Sequence, residues 1–160
     1  MKTILLAKGH VAFVDDADFE QVSKFKWHAK KTKTTYYATT HDPKNPNHKL
    51  YLHRILLGDP AGVLIDHKDR NGLNCQRDNL RAATKSTNMA NRPKRSDSKV
   101  PYKGITWHQQ SNKWRVRIAG KQVGMFVDPL DAAKAYDAAA MAKFGEYACL
   151  NFPTGEHNAI

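Results

Sequence analysis

The chain has 160 residues, 41% hydrophobic and 26% charged, which suits one domain or two small ones and excludes a collagen-like or wholly disordered protein. Its apolar runs are short, as in Ile4-Leu5-Leu6-Ala7, so none is long enough to span a membrane. Lys and Arg number 26 against 15 Asp and Glu, and the resulting charge of +11 points to a polyanionic partner, because each cation placed on a phosphate releases condensed counterions.

The opening Met1-Lys2-Thr3-Ile4 lacks the apolar stretch of a signal peptide, and two cysteines are too few for a disulfide framework, so a cytoplasmic location is expected. Residues 3–6 and 10–14 read as short strands around the Lys8-Gly9 turn. Asp15-Asp16-Ala17-Asp18 offers a helix start, with Phe19, Val22 and Phe25 spaced for one face. Trp27 and the run Thr34–Thr40 are strand-like, and residues 41–49, rich in Pro, Asn and His, read as a loop. Lys24, Lys26, Lys30, Lys31 and Lys33, with Trp27, Tyr36 and Tyr37 among them, suit either a surface tracking a nucleic-acid backbone or a solvated face over a core.

Residues 50–92 carry the chemistry. Leu64-Ile65 leads as a strand into Asp66-His67, followed by a polar loop through Gly72. A short strand, Leu80–Thr84, then precedes a helix bearing Asn88. Such a unit can bring Asp66, His67 and Asn88 together. A carboxylate and an amide oxygen suit a hard divalent cation such as Mg²⁺. His67 is placed to take a proton from an attacking water. From Asn91 to Pro101 the chain is polar, basic and proline-bounded, a linker whose cations either track a backbone or are simply solvated.

Beyond it, residues 102–108 suggest a strand. Trp114, Val116 and Ile118 alternate with Arg115 and Arg117, the period-2 mark of a strand with one buried face. Ala119-Gly120 turns into Lys121–Phe126. Asp128-Pro129-Leu130-Asp131 then starts an alanine-rich helix over 129–144 that stops at Gly145. No internal repeat is present.

The segment from Leu52-His53-Arg54 through Asp66-His67, Asp78-Asn79-Leu80-Arg81 and Ser86-Thr87-Asn88 resembles the HNH, or ββα-metal, nuclease motif. The likeness is to the variant of phage and intron-encoded homing endonucleases in which the last His is Asn. The resemblance implies His67 as general base, Asn79 as the residue bracing the loop, and Asp66 with Asn88 as ligands of one Mg²⁺ or Mn²⁺. His53 and Arg54 are implied DNA contacts. Zinc-braced relatives carry paired Cys motifs that are absent here, so Cys75 is expected to be a loop residue and not a zinc ligand.

Residues 101–153, through Tyr102-Lys103-Gly104-Ile105, Lys113-Trp114, Val123-Gly124-Met125-Phe126 and Leu150-Asn151-Phe152, resemble the AP2/ERF DNA-binding domain. There a three-stranded sheet enters the major groove with a helix packed behind it. This implies Lys103, Lys113, Arg115, Arg117 and Lys121 as DNA contacts, with Arg115 and Arg117 either reading guanine edges or gripping phosphates. Trp107 can stack or pack.

The expected protein is therefore α+β. It has an HNH domain over 1–92 (leader 1–49, motif 50–92), a basic linker over 93–100, an AP2-like domain over 101–153 and a tail over 154–160. The expected activity is metal-dependent hydrolysis of double-stranded DNA, as a nick, with no membrane and no protein partner. The competing expectation is a sequence-specific DNA-binding regulator that does not cleave.

Overall fold

A computed structural model of the chain describes residues 1–153; the expected tail at 154–160 lies outside them. The chain divides into two compact units, the first ending at Thr84 and the second beginning at Lys85.

In the N-terminal unit, β1 (Lys2–Leu5) and β2 (Val11–Val14) form an antiparallel hairpin, with Lys8 and Gly9 in its turn at φ of 68° and 77°. A 3₁₀ turn (Asp16–Asp18) and a short helix, α1 (Phe19–Ser23), follow. Next comes an antiparallel sheet in sequential order, β3 (His28–Lys31), β4 (Tyr36–Asp42) and β5 (Asn45–Tyr51). The segment read as a loop over 41–49 is thus mostly hairpin. Pro46 is compatible with β5 because that strand is on the edge, where a missing N–H costs no ladder bond. The register shift between His41 and Asp42 absorbs the irregularity.

Outside the expected elements stands α2 (Leu52–Leu56), in which Leu52 and Leu56, four apart, are both buried. The unit closes with β6 (Leu64–His67) paired antiparallel to β7 (Leu80–Ala83). Val14, Val22, Trp27, Leu52 and Cys75 fill its core. The Trp27 indole N–H donates to the Val22 carbonyl at 2.8 Å, so its one polar atom is satisfied inside.

The second unit begins with α3 (Lys85–Ala90), before the boundary expected near residue 92. The reason lies in its fastenings. The Cys149 N–H donates to the Ala90 carbonyl at 3.1 Å, and the Lys103 ammonium donates to the same oxygen at 2.6 Å. Residues 93–100 hold no helix or strand, yet they bond internally: Lys94 Nζ donates to the carbonyls of Ser98 and Val100, and Arg95 pairs with Asp97.

There follows a meander of β8 (Ile105–His108), β9 (Lys113–Ile118) and β10 (Lys121–Phe126), then α4 (Pro129–Phe144). Asp128 caps α4 by accepting from the N–H groups of Leu130 and Asp131. Ile105, Val116, Ala132, Tyr136 and Ala140 make the core between sheet and helix. Gly104, at φ of 78°, lies flat against the Tyr136 ring; a Cβ there would stand 2.0 Å from a ring carbon. The α+β class is as expected. No helix among the described residues is long and apolar enough to cross a membrane.

Candidate active site and nucleic-acid face

The β6–β7 hairpin presents Asp66 and His67 in succession. Neighbouring side chains on a strand leave opposite faces. Asp66 is registered with Arg81, and His67 with Leu80. Asp66 Oδ2 accepts from Arg81 Nε at 3.0 Å and Nη2 at 2.8 Å, and both residues are buried. Adjacency in sequence therefore does not make a shared face: the carboxylate meets a guanidinium, while the imidazole enters a different cluster.

That cluster is aromatic and soft. The His67 ring centroid lies 5.0 Å from that of His53, edge to face, and 5.7 Å from that of Tyr37. Potential ligand atoms of His53, His67 and Cys75 fall within 4.8 Å of one another. Burial pushes His67 down from its ordinary value to about 4, against the upward pull of Asp69 and Asp66. Burial likewise lowers His53 to about 3, with His67 and Arg54 adding to the shift. Both imidazoles are neutral at pH 7.

The loop joining the strands is organised around Asn79. Its Oδ1 accepts from the Asp69 N–H at 3.0 Å, its amide donates to Asp69 Oδ1 at 2.9 Å and to the Asn74 carbonyl at 2.7 Å, and its carbonyl accepts from the Lys68 N–H. Asp15 and Asp18 reach this loop as well. The Asp18 carboxylate takes a two-point grip from Arg77, and Asp15 accepts from the Arg77 N–H. The leader thus holds the motif's loop in place. Asn88 lies half-buried on α3, in the second unit.

One face of the β3–β4–β5 sheet runs up to the histidines. The register places His28, Lys30, Tyr37, His41, Lys49 and Tyr51 together on it. Lys30 Nζ donates to the Tyr51 hydroxyl at 2.7 Å, and Tyr51 and Tyr37 each contact His53. Asp42, at the turn, is the one acid on these strands. Lys30 is one of several lysines between residues 24 and 33, and its pairing with Tyr37 sets it on the face that carries Tyr51.

The C-terminal sheet shows its cations differently. Trp114, Val116 and Ile118 face α4, so Arg115 and Arg117 occupy the opposite face with Lys113. Arg117 Nη2 donates to the Gly120 carbonyl, and the buried Arg115 Nε has no hydrogen-bond partner among the described residues. Trp107, 48% exposed, pairs with Trp114 on the helix side.

Four residues expected at DNA are placed otherwise. His53 is 8% exposed, turned into the His67 cluster. The Arg54 guanidinium is bonded to Asp59 and to the carbonyls of Pro60 and Val63, which fixes the turn after α2. The Lys103 ammonium is directed to the carbonyls of Ala90 and Cys149. Lys121 is exposed but registered with Ile118, on the side away from Arg115 and Arg117. Cys75 lies in the loop between β6 and β7, as expected, and is fully buried there.

Comparison with known proteins follows the same lines. Residues 58–90 match the family model described as HNH endonuclease. The chain is 29% identical over 150 residues to an uncharacterised HNH endonuclease of Acanthamoeba polyphaga mimivirus, covering 90% of this chain and 76% of that one. It is 38% identical over 65 residues to Protein 3.8 of Escherichia phage T7, covering 39% of this chain and 54% of that protein. No solved structure matches. Residues 58–90 are an HNH endonuclease domain, the domain of a DNA-cleaving enzyme.

Proposed function

We propose that the chain is a divalent-metal-dependent DNA endonuclease of the homing type that nicks one strand, with site choice aided by the sheet of β8–β10 acting as an AP2-like reader. The observation that carries this reading is the β6–β7 hairpin. It lies within the matched residues and delivers an imidazole that burial keeps unprotonated.

His67 takes the proton of the attacking water on an imidazole nitrogen, a task that needs the neutral form. Asn79, through its bonds to Asp69 and Asn74, keeps the loop beside His67 in one shape. Asp66 and Asn88 offer a carboxylate and an amide oxygen, the hard donors a Mg²⁺-class ion takes. Such an ion, when bound, stabilises the leaving 3′ alkoxide and the charge on the phosphoryl oxygens. Arg81, bonded to Asp66 Oδ2, holds that carboxylate in one orientation.

Lys30 and Tyr51 guide the phosphate backbone along the sheet face toward His67. Lys113, Arg115 and Arg117 hold the duplex from the second unit. Because phosphate chemistry is blind to sequence, site preference comes from such contacts and from DNA deformability.

The test incubates the full chain with supercoiled DNA in Mg²⁺ or in EDTA, beside His67→Ala. Open-circle product that needs both the metal and His67, with the variant slower by about 10²–10⁴-fold and still retarding DNA in a gel, is expected. Retardation without cleavage on phage genomic and randomised targets would instead identify a binding protein.

A further inference from the structure

His53, His67 and Cys75 are all metal ligands by chemistry, and all three are buried with donor atoms within 4.8 Å of one another. Around a tetrahedral ion, with metal–nitrogen bonds near 2.1 Å and a metal–sulfur bond near 2.3 Å, donors stand about 3.5 Å apart. Side-chain adjustments of about 1 Å therefore close the trio on an ion. His53 Nδ1 is buried without a hydrogen-bond partner among the described residues, a costly state for a ring nitrogen that has no evident structural return. Cys75 Sγ makes a long contact, 3.9 Å, with the Gly72 carbonyl, and the His53 backbone also bonds to it.

The donors also select among ions. Two imidazoles and a thiol contain no oxygen, and Mg²⁺ demands oxygen in near-octahedral array. Imidazole and thiolate together favour late first-row ions, zinc above all at cellular availability. The trio includes the proposed base, whereas the oxygen donors Asp66 and Asn88 lie outside it.

We propose that His53, His67 and Cys75 form an inhibitory site for a thiophilic divalent ion of the zinc class, whose binding withdraws the His67 lone pair from DNA cleavage. The inhibitory effect rests on His67 being the base; the site itself does not. Each imidazole offers a ring nitrogen to the ion. Burial pushes the Cys75 thiol up to about 12, so it keeps its proton until an ion arrives. On binding, the S–H bond breaks, its electron pair forms the metal–sulfur bond, and the proton leaves to solvent.

The experiment titrates the full chain with Co²⁺, reading the near-ultraviolet sulfur-to-cobalt charge-transfer band, and then displaces Co²⁺ with Zn²⁺. In parallel, cleavage of supercoiled DNA in saturating Mg²⁺ is followed as Zn²⁺ rises. The wild type should show the band and lose it to Zn²⁺. Cys149→Ser should keep it, and Cys75→Ala should lack it. Cys75→Ala should retain Mg²⁺-dependent cleavage but need at least about tenfold more Zn²⁺ for the same inhibition, having lost one of three ligands. His53→Gln, which leaves the core thiol in place, should weaken Co²⁺ binding by a similar factor, and it decides the matter if Cys75→Ala fails to fold.

A wild type without the band, or a band that survives Cys75→Ala, overturns the site. Equal Zn²⁺ sensitivity of the wild type and Cys75→Ala overturns the inhibition. Should the wild type not cleave DNA at all, the spectra still decide the site, so its failure and that of the nuclease reading are told apart.

Discussion

In the N-terminal unit β6 sends Asp66 to one side and His67 to the other, and both are buried. In the C-terminal unit β9 buries Val116 against α4 while Arg117 and Lys113, on its other face, stay in solvent. The same alternating backbone thus serves two ends. In the first unit both faces of the strand are covered; in the second, one covered face holds the strand steady and leaves its cations in water.

Acid is the strongest way to break this contrast. His53 and His67 are lowered in the folded state, to about 3 and about 4, so the unfolded chain takes up protons first as pH falls below 6.5. Their stabilising contribution is complete above that pH and is lost as pH drops toward the folded values, at up to about 1.4 kcal/mol per pH unit for each. Hydrogen exchange at pH 7 and pH 5, corrected for intrinsic rates, should show β6 and β7 losing more protection than β8 and β9. His53→Gln should remove about half of that difference. Parallel losses in both units would contradict the assignment.

Arg81→Leu comes next, since it takes the guanidinium away from the buried Asp66 carboxylate and should cost about 3–5 kcal/mol in urea unfolding of the N-terminal unit. Adding Asp66→Leu should return most of that loss. The corresponding cation of the other unit is a sharp contrast. Arg117→Ala should move stability by less than about 0.5 kcal/mol. It should instead lower the salt slope of DNA binding by about one and weaken binding uniformly across sequences. A loss confined to one base position would make Arg117 a base reader. The smallest effect is at the helix: Asp128→Ala should cost about 1 kcal/mol by leaving the first N–H groups of α4 uncapped.

Where the sequence could be read, the physics was local. The alternation Trp114-Arg115-Val116-Arg117-Ile118 and the Asp128-Pro129 helix start each depend on residues within a turn of one another. The order of Asp66, His67, Asn79 and Asn88 was likewise visible. What escaped reading was set by partners far along the chain. Pro46 sits in a strand because β4 lies on only one side of it. Cys75 is held inside by its N–H bond to the Phe13 carbonyl, 62 residues away along the chain. Arg54 and Lys103 carry formal charges that suit phosphate, and only tertiary acceptors reveal where those charges are used. The divergence of Asp66 and His67 follows from strand period alone.

The hydrogen bonds of Asn79 bear on how the chain reaches its fold. Between β6 and β7 lie the residues from Lys68 to Asn79, a long span for a hairpin. Asn71 to Leu73 and to Asn74, Asp69 to Asn71, and Asn79 to Asn74 each close a ring of only a few residues. Loop closure therefore proceeds through several small rings, each needing little entropy, before the strands meet. Interactions of such short range lower the cost of closing this loop, while Phe13, Asp15 and Asp18 fasten it to the rest of the unit.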